Sequence, residues 1–304
     1  MPMNKIEPLL LKKGDKVGLI SPAWAIDEDK AGKAVAFLEE WGLKVVPGRN
    51  LLKRWGPFAG TDEERASDLQ IMIDDPAVKA VFCSRGGYGT LRIIGKTDFA
   101  PLKRSPKWFV GFSDITVIHM WLNEVCGIVS VHGEMPLNYY ESGKTDETFV
   151  SLHNVLFGGN TTISWTGRTY RFREMTGEVT GGNLSLIYSL IGTRAEPRTR
   201  GRILFIEDTG EYLYHLDRMI SSLKLAGKLG RIEGLIVGGL DRMEDTKISW
   251  GITPEEVIKD AVREFSFPVV FDFPAGHIPD NRAFYIGRNA RITSDGKRVS
   301  MTFI

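Results

Sequence analysis

An α/β fold in two parts is predicted for this chain: an N-terminal, mostly parallel sheet with flanking helices, followed by a C-terminal mixed α/β domain rich in antiparallel strands. Three observations carry that expectation. Apolar strands alternate with amphipathic helices through the first half, the pattern of a sheet covered on both faces. The stretch 138–173 changes character, becoming rich in Gly, Thr, Ser and Tyr without strong helical periodicity. The closing segment NARITSDGKRVSMTFI alternates on both sides of Asp295-Gly296, a strong hairpin signal. The expected division is 1–150 for the first domain, 151–174 for a linker with the first strands of the second, and 175–304 for the second.

Val17–Ser21 reads as a buried strand stopped by Pro22. Asp27 then caps a helix whose apolar face is Ala31, Ala34, Val35, Leu38 and Trp41, closed by Gly42. Leu43–Val46 returns as a strand, and Thr61 with Glu64 forms a capping box that opens a helix through Leu69 and Met72. Val78–Ser84 and Lys107–Phe112 are strands, and Ile115–Val125 is a helix. In the second half, strands fall at Arg202–Glu207, Leu235–Gly239 and Val269–Asp272, with helices near Leu216–Leu225 and Pro254–Phe265.

With 39 basic and 38 acidic residues the net charge is +1, so nothing in the charge balance points to nucleic acid or to an anionic membrane as partner. The opening MPMNKIEPLLLKKGDKVGLIS has an apolar run cut short by Lys12 and Lys13, unlike a signal peptide, and no apolar run approaches the ~20 residues of a membrane span. Cys83 and Cys126 sit in apolar surroundings and suit a reducing compartment. A cytoplasmic protein is expected.

Four segments can carry chemistry. In KWFVGFSDITVIHMWL a strand runs through Gly111-Phe112-Ser113-Asp114 straight into a helix, which exposes Ser113 at the sheet end near unpaired helix amides. That is nucleophile-elbow logic, although Ile115 replaces the final glycine of G-x-S-x-G and disfavours an α/β-hydrolase; Ser113 as a plain N-cap stays open. In VFCSRGGYGT, Gly86, Gly87 and Gly89 follow a strand and can bring backbone amides close to a ligand, as an oxyanion donor from Gly86 or Gly87, as a phosphate cradle, or as a simple turn. Glu207 ends a hydrophobic strand, with Asp208 and Glu211 following; a metal there would need more histidines than His215 alone supplies. His277 follows a strand through Pro274-Ala275-Gly276 and can serve as a general base, or be a hydrogen-bonded loop histidine. Of the others, His119 reads as packing, His132 as a cleft residue, and His153 and His215 as peripheral; Cys83 reads as an inert core thiol.

The segments SRGGYGT (84–90), GFSDIT (111–116), GGNLSLI (181–187), IEDTGEYLYHLDRM (206–219) and GHIPDN (276–281) together resemble the LD-carboxypeptidase family, which includes murein tetrapeptide carboxypeptidases and the microcin C self-immunity hydrolase. The resemblance runs from GDKVGLISPA to the closing hairpin. It implies a Ser113–Glu207–His277 triad, an oxyanion hole from the amides of Gly87 and Asp114, a substrate cleft between the domains, and a homodimer without metal or cofactor. The substrate expected is a small peptide, a murein tetrapeptide cleaved at its L,D amide bond, with Arg85 and Gly86 at the substrate and Arg85 or Arg282 as a cation for its carboxylate. The alternatives are a microcin C-type immunity hydrolase acting on peptidyl-nucleotide amides, or a non-catalytic small-molecule binder built on the Gly86–Gly89 loop.

Overall fold

A computed structural model describes residues 5–140 and 146–304, and the elements and contacts below are those of these residues. The first half supplies the strands β1 (Lys16–Ile20), β2 (Lys44–Pro47), β3 (Val78–Cys83), β4 (Trp108–Gly111) and β5 (Ser130–His132), all parallel. The four residues of β4 are all buried, as expected for a parallel strand covered on both faces. Helices α1 (Glu28–Glu40) and α2 (Asp62–Asp74) connect the first three strands. The Thr61/Glu64 capping box at α2 is formed in both directions. Asp27 stands at the N-cap of α1 but makes no capping bond, because its carboxylate pairs with Arg54 instead.

The expected helix over Ile115–Val125 is three pieces: a 3-10 turn at Ser113–Ile115, α3 (Thr116–Trp121) and a π turn at Leu122–Cys126. The π turn turns Glu124 inward onto Arg202, and Asn123 onto the carbonyls of Ile128 (3.0 Å) and Ile286 (3.3 Å). The stretch read as aperiodic linker contains a helix, α4 (Asp146–Phe157), which buries Thr148, Leu152, Val155 and Leu156. Part of the segment, 141–145, lies outside the described residues.

The second sheet comprises β6 (Ile163–Trp165), β7 (Thr169–Tyr170), β8 (Met175–Asn183), β9 (Arg202–Thr209), β10 (Gly234–Asp241), β11 (Val269–Val270), β13 (Asn289–Ser294) and β14 (Val299–Phe303), where β12 is the intervening strand Phe284–Ile286. Its strand order is β6-β14-β13-β8-β9-β10-β11-β7, with a parallel centre from β8 to β11 and antiparallel flanks. The β13–β14 hairpin turns at Asp295-Gly296 as expected. Strand β12 leaves this half and pairs antiparallel with β5 in the first sheet, Phe284 opposite His132. One continuous buried core therefore runs beneath both sheets, and a smaller one packs α5 (Leu213–Leu225) and α6 (Pro254–Ala261) on the outer face of the second. No helix among the described residues is long and apolar enough to cross a membrane.

Candidate active site

The C-terminal ends of β4 and β9 face each other across the boundary between the two halves. After Gly111 the chain passes through extended Phe112 into Ser113, whose φ is +61°, in the left-handed region that only glycine adopts freely. Such a backbone costs on the order of 1–3 kcal/mol and persists only where its surroundings over-determine it. Here they do. The buried Asp114 carboxylate accepts hydrogen bonds from Thr90 N (2.8 Å) and from the Thr90 hydroxyl, tying the elbow to the glycine loop. His119 Nε2 donates to Gly111 O (2.8 Å); burial pushes this imidazole down to about 4, so it is a neutral clamp on the strand end. Ser113 itself stays partly exposed among buried neighbours.

The glycine loop lies over the serine. A Cβ on Gly86 would sit 3.0 Å from Ser113 Oγ, and Gly87, at φ +102°, leaves room for the Trp24 ring, which a Cβ would strike at 2.4 Å. Buried Arg65 holds the loop from α2, donating to Pro22 O (2.7 Å) and Gly89 O (3.0 Å) and pairing with Asp62. Arg85 places its guanidinium over Trp24 (5.2 Å) and donates to Ala25 O (2.9 Å), and no carboxylate among the described residues pairs with it. Arg282 instead forks onto Asp280 (2.8–3.1 Å), so its charge is already engaged.

Glu207 lies near the end of β9, fully buried, and Oε2 accepts from His277 Nδ1 (2.7 Å). His277 Nε2 in turn accepts from Ser113 Oγ (3.1 Å). The three residues separated by up to 164 positions therefore form one hydrogen-bonded row. Burial alone would lower the His277 pKa; the Glu207 charge and hydrogen bond outweigh it, Asp208 and Glu134 add to them, and the net value is raised. Gly276, at φ +109°, lies flat against Glu207, where a Cβ would be 2.7 Å from Oε2.

One other residue departs from expectation. His132 does not line the cleft: it is fully buried, stacked on Phe284 (4.9 Å) and edge-on to Phe205 (5.2 Å), and burial keeps it neutral. Glu211 pairs with His215 rather than converging with Asp208, which accepts from Asn183 Nδ2 (2.9 Å) and Ser185 N (3.0 Å). Among the described residues no group of three or more His, Cys, Asp or Glu is placed to hold a metal ion. Cys83 is buried and its thiol is pushed far up, leaving it inert. Two cross-boundary holders were missed from sequence: Thr116, whose hydroxyl accepts from Asn183 N (3.0 Å), and Asn281, whose Nδ2 donates to Glu134 Oε2 (3.2 Å) while its Oδ1 accepts from Gly276 N (2.9 Å) in its own loop. Asn183, between Gly182 and Leu184 in GGNLSLI, is a polar amide among glycine and apolar neighbours, which was the available signal; Asn281, between Asp280 and Arg282, offered none.

Residues 17–133 match the family model for the LD-carboxypeptidase N-terminal domain, and residues 176–292 match that for its C-terminal domain. The chain belongs to the LD-carboxypeptidase family. A probable murein peptide carboxypeptidase of Bacillus subtilis is 37% identical over 296 residues, 96% of this chain and 92% of that protein. The crystal structure of muramoyltetrapeptide carboxypeptidase from Oxalobacter formigenes superposes with a TM-score of 0.87 at 28% identity, covering 95% of this chain and 98% of that one. The microcin C7 self-immunity protein MccF of Escherichia coli is 23% identical, covering 99% of this chain and 97% of that protein. As a member of the LD-carboxypeptidases the chain is a serine peptidase of carboxypeptidase type, and the two matched regions carry Ser113 on one side and Glu207 with His277 on the other.

Proposed function

We propose that this carboxypeptidase hydrolyses the amide bond between an L-centre and a terminal D-amino acid in murein tetrapeptides, releasing D-alanine in cell-wall recycling. The observation that carries the reading is the Ser113–His277–Glu207 row, 3.1 and 2.7 Å between successive partners, beside a glycine loop that leaves the serine reachable. His277 takes the Ser113 proton as Oγ attacks the carbonyl carbon, and Glu207 orients the ring and stabilises the imidazolium. The amides of Gly87 and Asp114 receive the oxyanion, and each such donor is typically worth ~10²–10³ in rate. The imidazolium then gives its proton to the leaving D-alanine nitrogen; water, deprotonated by His277, attacks the ester and frees the acid and Ser113. Arg85, with Gly86 beside it, is the cation for the terminal carboxylate, its charge not neutralised by an acid. The proposed setting is cytoplasmic, and the proposed assembly a homodimer.

Full-length likeness to MccF favours a second reading, an immunity hydrolase acting on peptidyl-nucleotide amides. Wild type and Ser113→Ala are incubated with murein tetrapeptide and free D-alanine is measured. Release by wild type alone is expected. Equal release by both rejects Ser113 as nucleophile, and cleavage of a peptidyl-adenylate without any D-alanine release rejects the murein substrate for the second one. Ligand binding and biological activity unchanged in Ser113→Ala would favour a non-catalytic binder.

A further inference from the structure

His277 sits on an irregular loop, yet its ring must stay within hydrogen-bond reach of groups from two different sheets. Glu134, two residues beyond β5, is fully buried. Its Oε1 accepts from Met135 N (3.0 Å) and Asn138 Nδ2 (2.7 Å), and its Oε2 accepts from Asn281 Nδ2 (3.2 Å). Asn281, also fully buried, uses its Oδ1 to accept from Gly276 N (2.9 Å), and its own N–H donates to Thr148 Oγ1 (3.1 Å) on α4. Gly276 is the residue immediately before His277 and packs against Glu207.

We propose that Glu134 is a positioning residue for His277, acting through the Asn281 amide on the Gly276 N–H. This rests on the triad reading given above and adds to it a holder from the opposite half of the chain. The chemistry of the links gives the chain a direction. A backbone N–H only donates, so Asn281 must turn its oxygen to Gly276 and its amino group away. That amino group then needs an acceptor, and Glu134 supplies one while two further donors occupy its other oxygen. A glutamine in place of Glu134 keeps its oxygen for Met135 and Asn138 and turns its own amino group on that of Asn281, a donor against a donor. A buried polar group left unmatched costs ~1–3 kcal/mol, enough to displace the loop. The charged groups facing His277 are Glu207 and Asp208 from β9 and Glu134 from beyond β5, with neutral His132 beside them. Glu134 therefore also favours the imidazolium that forms during attack.

The test measures D-alanine release from murein tetrapeptide across pH for wild type, Ser113→Ala, Glu134→Gln and the swap Glu134→Gln/Asn281→Asp. In the swap the introduced glutamine amide donates to the introduced aspartate, which still accepts from Gly276, so the links from position 134 through 281 to Gly276 are restored with the negative charge moved one place along. For Glu134→Gln, kcat/KM is expected to fall ~10–100-fold through kcat, with KM nearly unchanged and the acid limb moved to lower pH, as misplacing a base by about 1 Å can cost that much. The swap is expected to recover most of the rate. Wild-type rate and limb in Glu134→Gln, or a folded swap as slow as the single variant, overturns the proposal. If the single variant does not fold, a swap that folds and approaches wild-type rate supports it and a folded swap more than tenfold slower overturns it. If neither folds, deuterium exchange at the wild-type Gly276 amide decides: protection is expected, and exchange at the rate of an open loop overturns it. Activity retained by Ser113→Ala would instead sink the triad reading, whatever Glu134→Gln does.

Discussion

Ser113 is fixed by its own backbone, whereas His277 is fixed by side chains far away in sequence. On the Ser113 side, the left-handed turn, the Asp114–Thr90 bonds and the Arg65 prop from α2 all come from the first half of the chain. On the opposite side, Glu207 sits in β9 where its pairing with β10 shifts register, and His277 hangs on a loop held by Asn281, itself tied to Glu134 across 147 positions. The same loop runs on into β12, which completes the sheet that carries Ser113. A strained turn held by partners from its own half can thus present the Ser113 hydroxyl, while bringing the His277 ring opposite it takes a second domain and buried polar links between the two.

The largest effect that can break this comparison is on Glu207. Glu207→Gln keeps the shape of the acid but removes the charge that orients His277, and kcat is expected to fall by ~10³–10⁴ with little change in melting temperature. A small loss of rate would mean that the loop alone fixes the ring. Next is Gly276→Ala, whose Cβ would meet Glu207 at 2.7–2.8 Å from a backbone at φ +109°. The expected loss is ~10²-fold in kcat/KM, because the His277 loop must shift by a sizeable fraction of an ångström. Unchanged kinetics would show the loop to be compliant.

A smaller effect concerns pH. In the proposed mechanism His277 must be neutral to accept the serine proton, and its pKa is raised because Glu207, Asp208 and Glu134 outweigh burial. The acid limb of kcat/KM is therefore expected above the ordinary histidine range of about 6.5, activity increasing as pH rises through it. The stability sign is the reverse: a raised folded value favours the fold fully below about pH 6.5, and this contribution is lost as pH rises through the folded value. A limb at or below the ordinary range would contradict the electrostatics. Smallest is Thr61→Ala, which breaks the capping box of α2 and should cost ~1 kcal/mol in denaturant unfolding while leaving kcat unchanged.

The same contrast decides what could be read from the sequence. The Thr61/Glu64 box, the Asp295-Gly296 hairpin and the strand-to-helix turn at Ser113 are local patterns, and each is found where the residues put it, whereas β9 runs two residues past its expected end at Glu207, to Thr209. Helix α4 was hidden because its apolar spacing is short and lies within a Gly- and Thr-rich stretch. The break of the 115–125 helix into three turns depends on Asn123 and Glu124 finding partners in the other half, at Ile286 and Arg202. The return of β12 to the first sheet, the burial of His132 and the Glu134–Asn281 link are set by contacts more than a hundred positions apart, which no local window contains. The burial of Arg65 against Gly89 escaped notice because an arginine on a helix ordinarily faces water.

The most direct measurement is a cycle of Ser113→Ala, His277→Ala and the double variant, scored by kcat for D-alanine release. Residues that act as one unit are strongly non-additive, so the double variant should be about as slow as either single one. Losses that simply multiply would show that the hydroxyl from one half and the imidazole from the other do not work together.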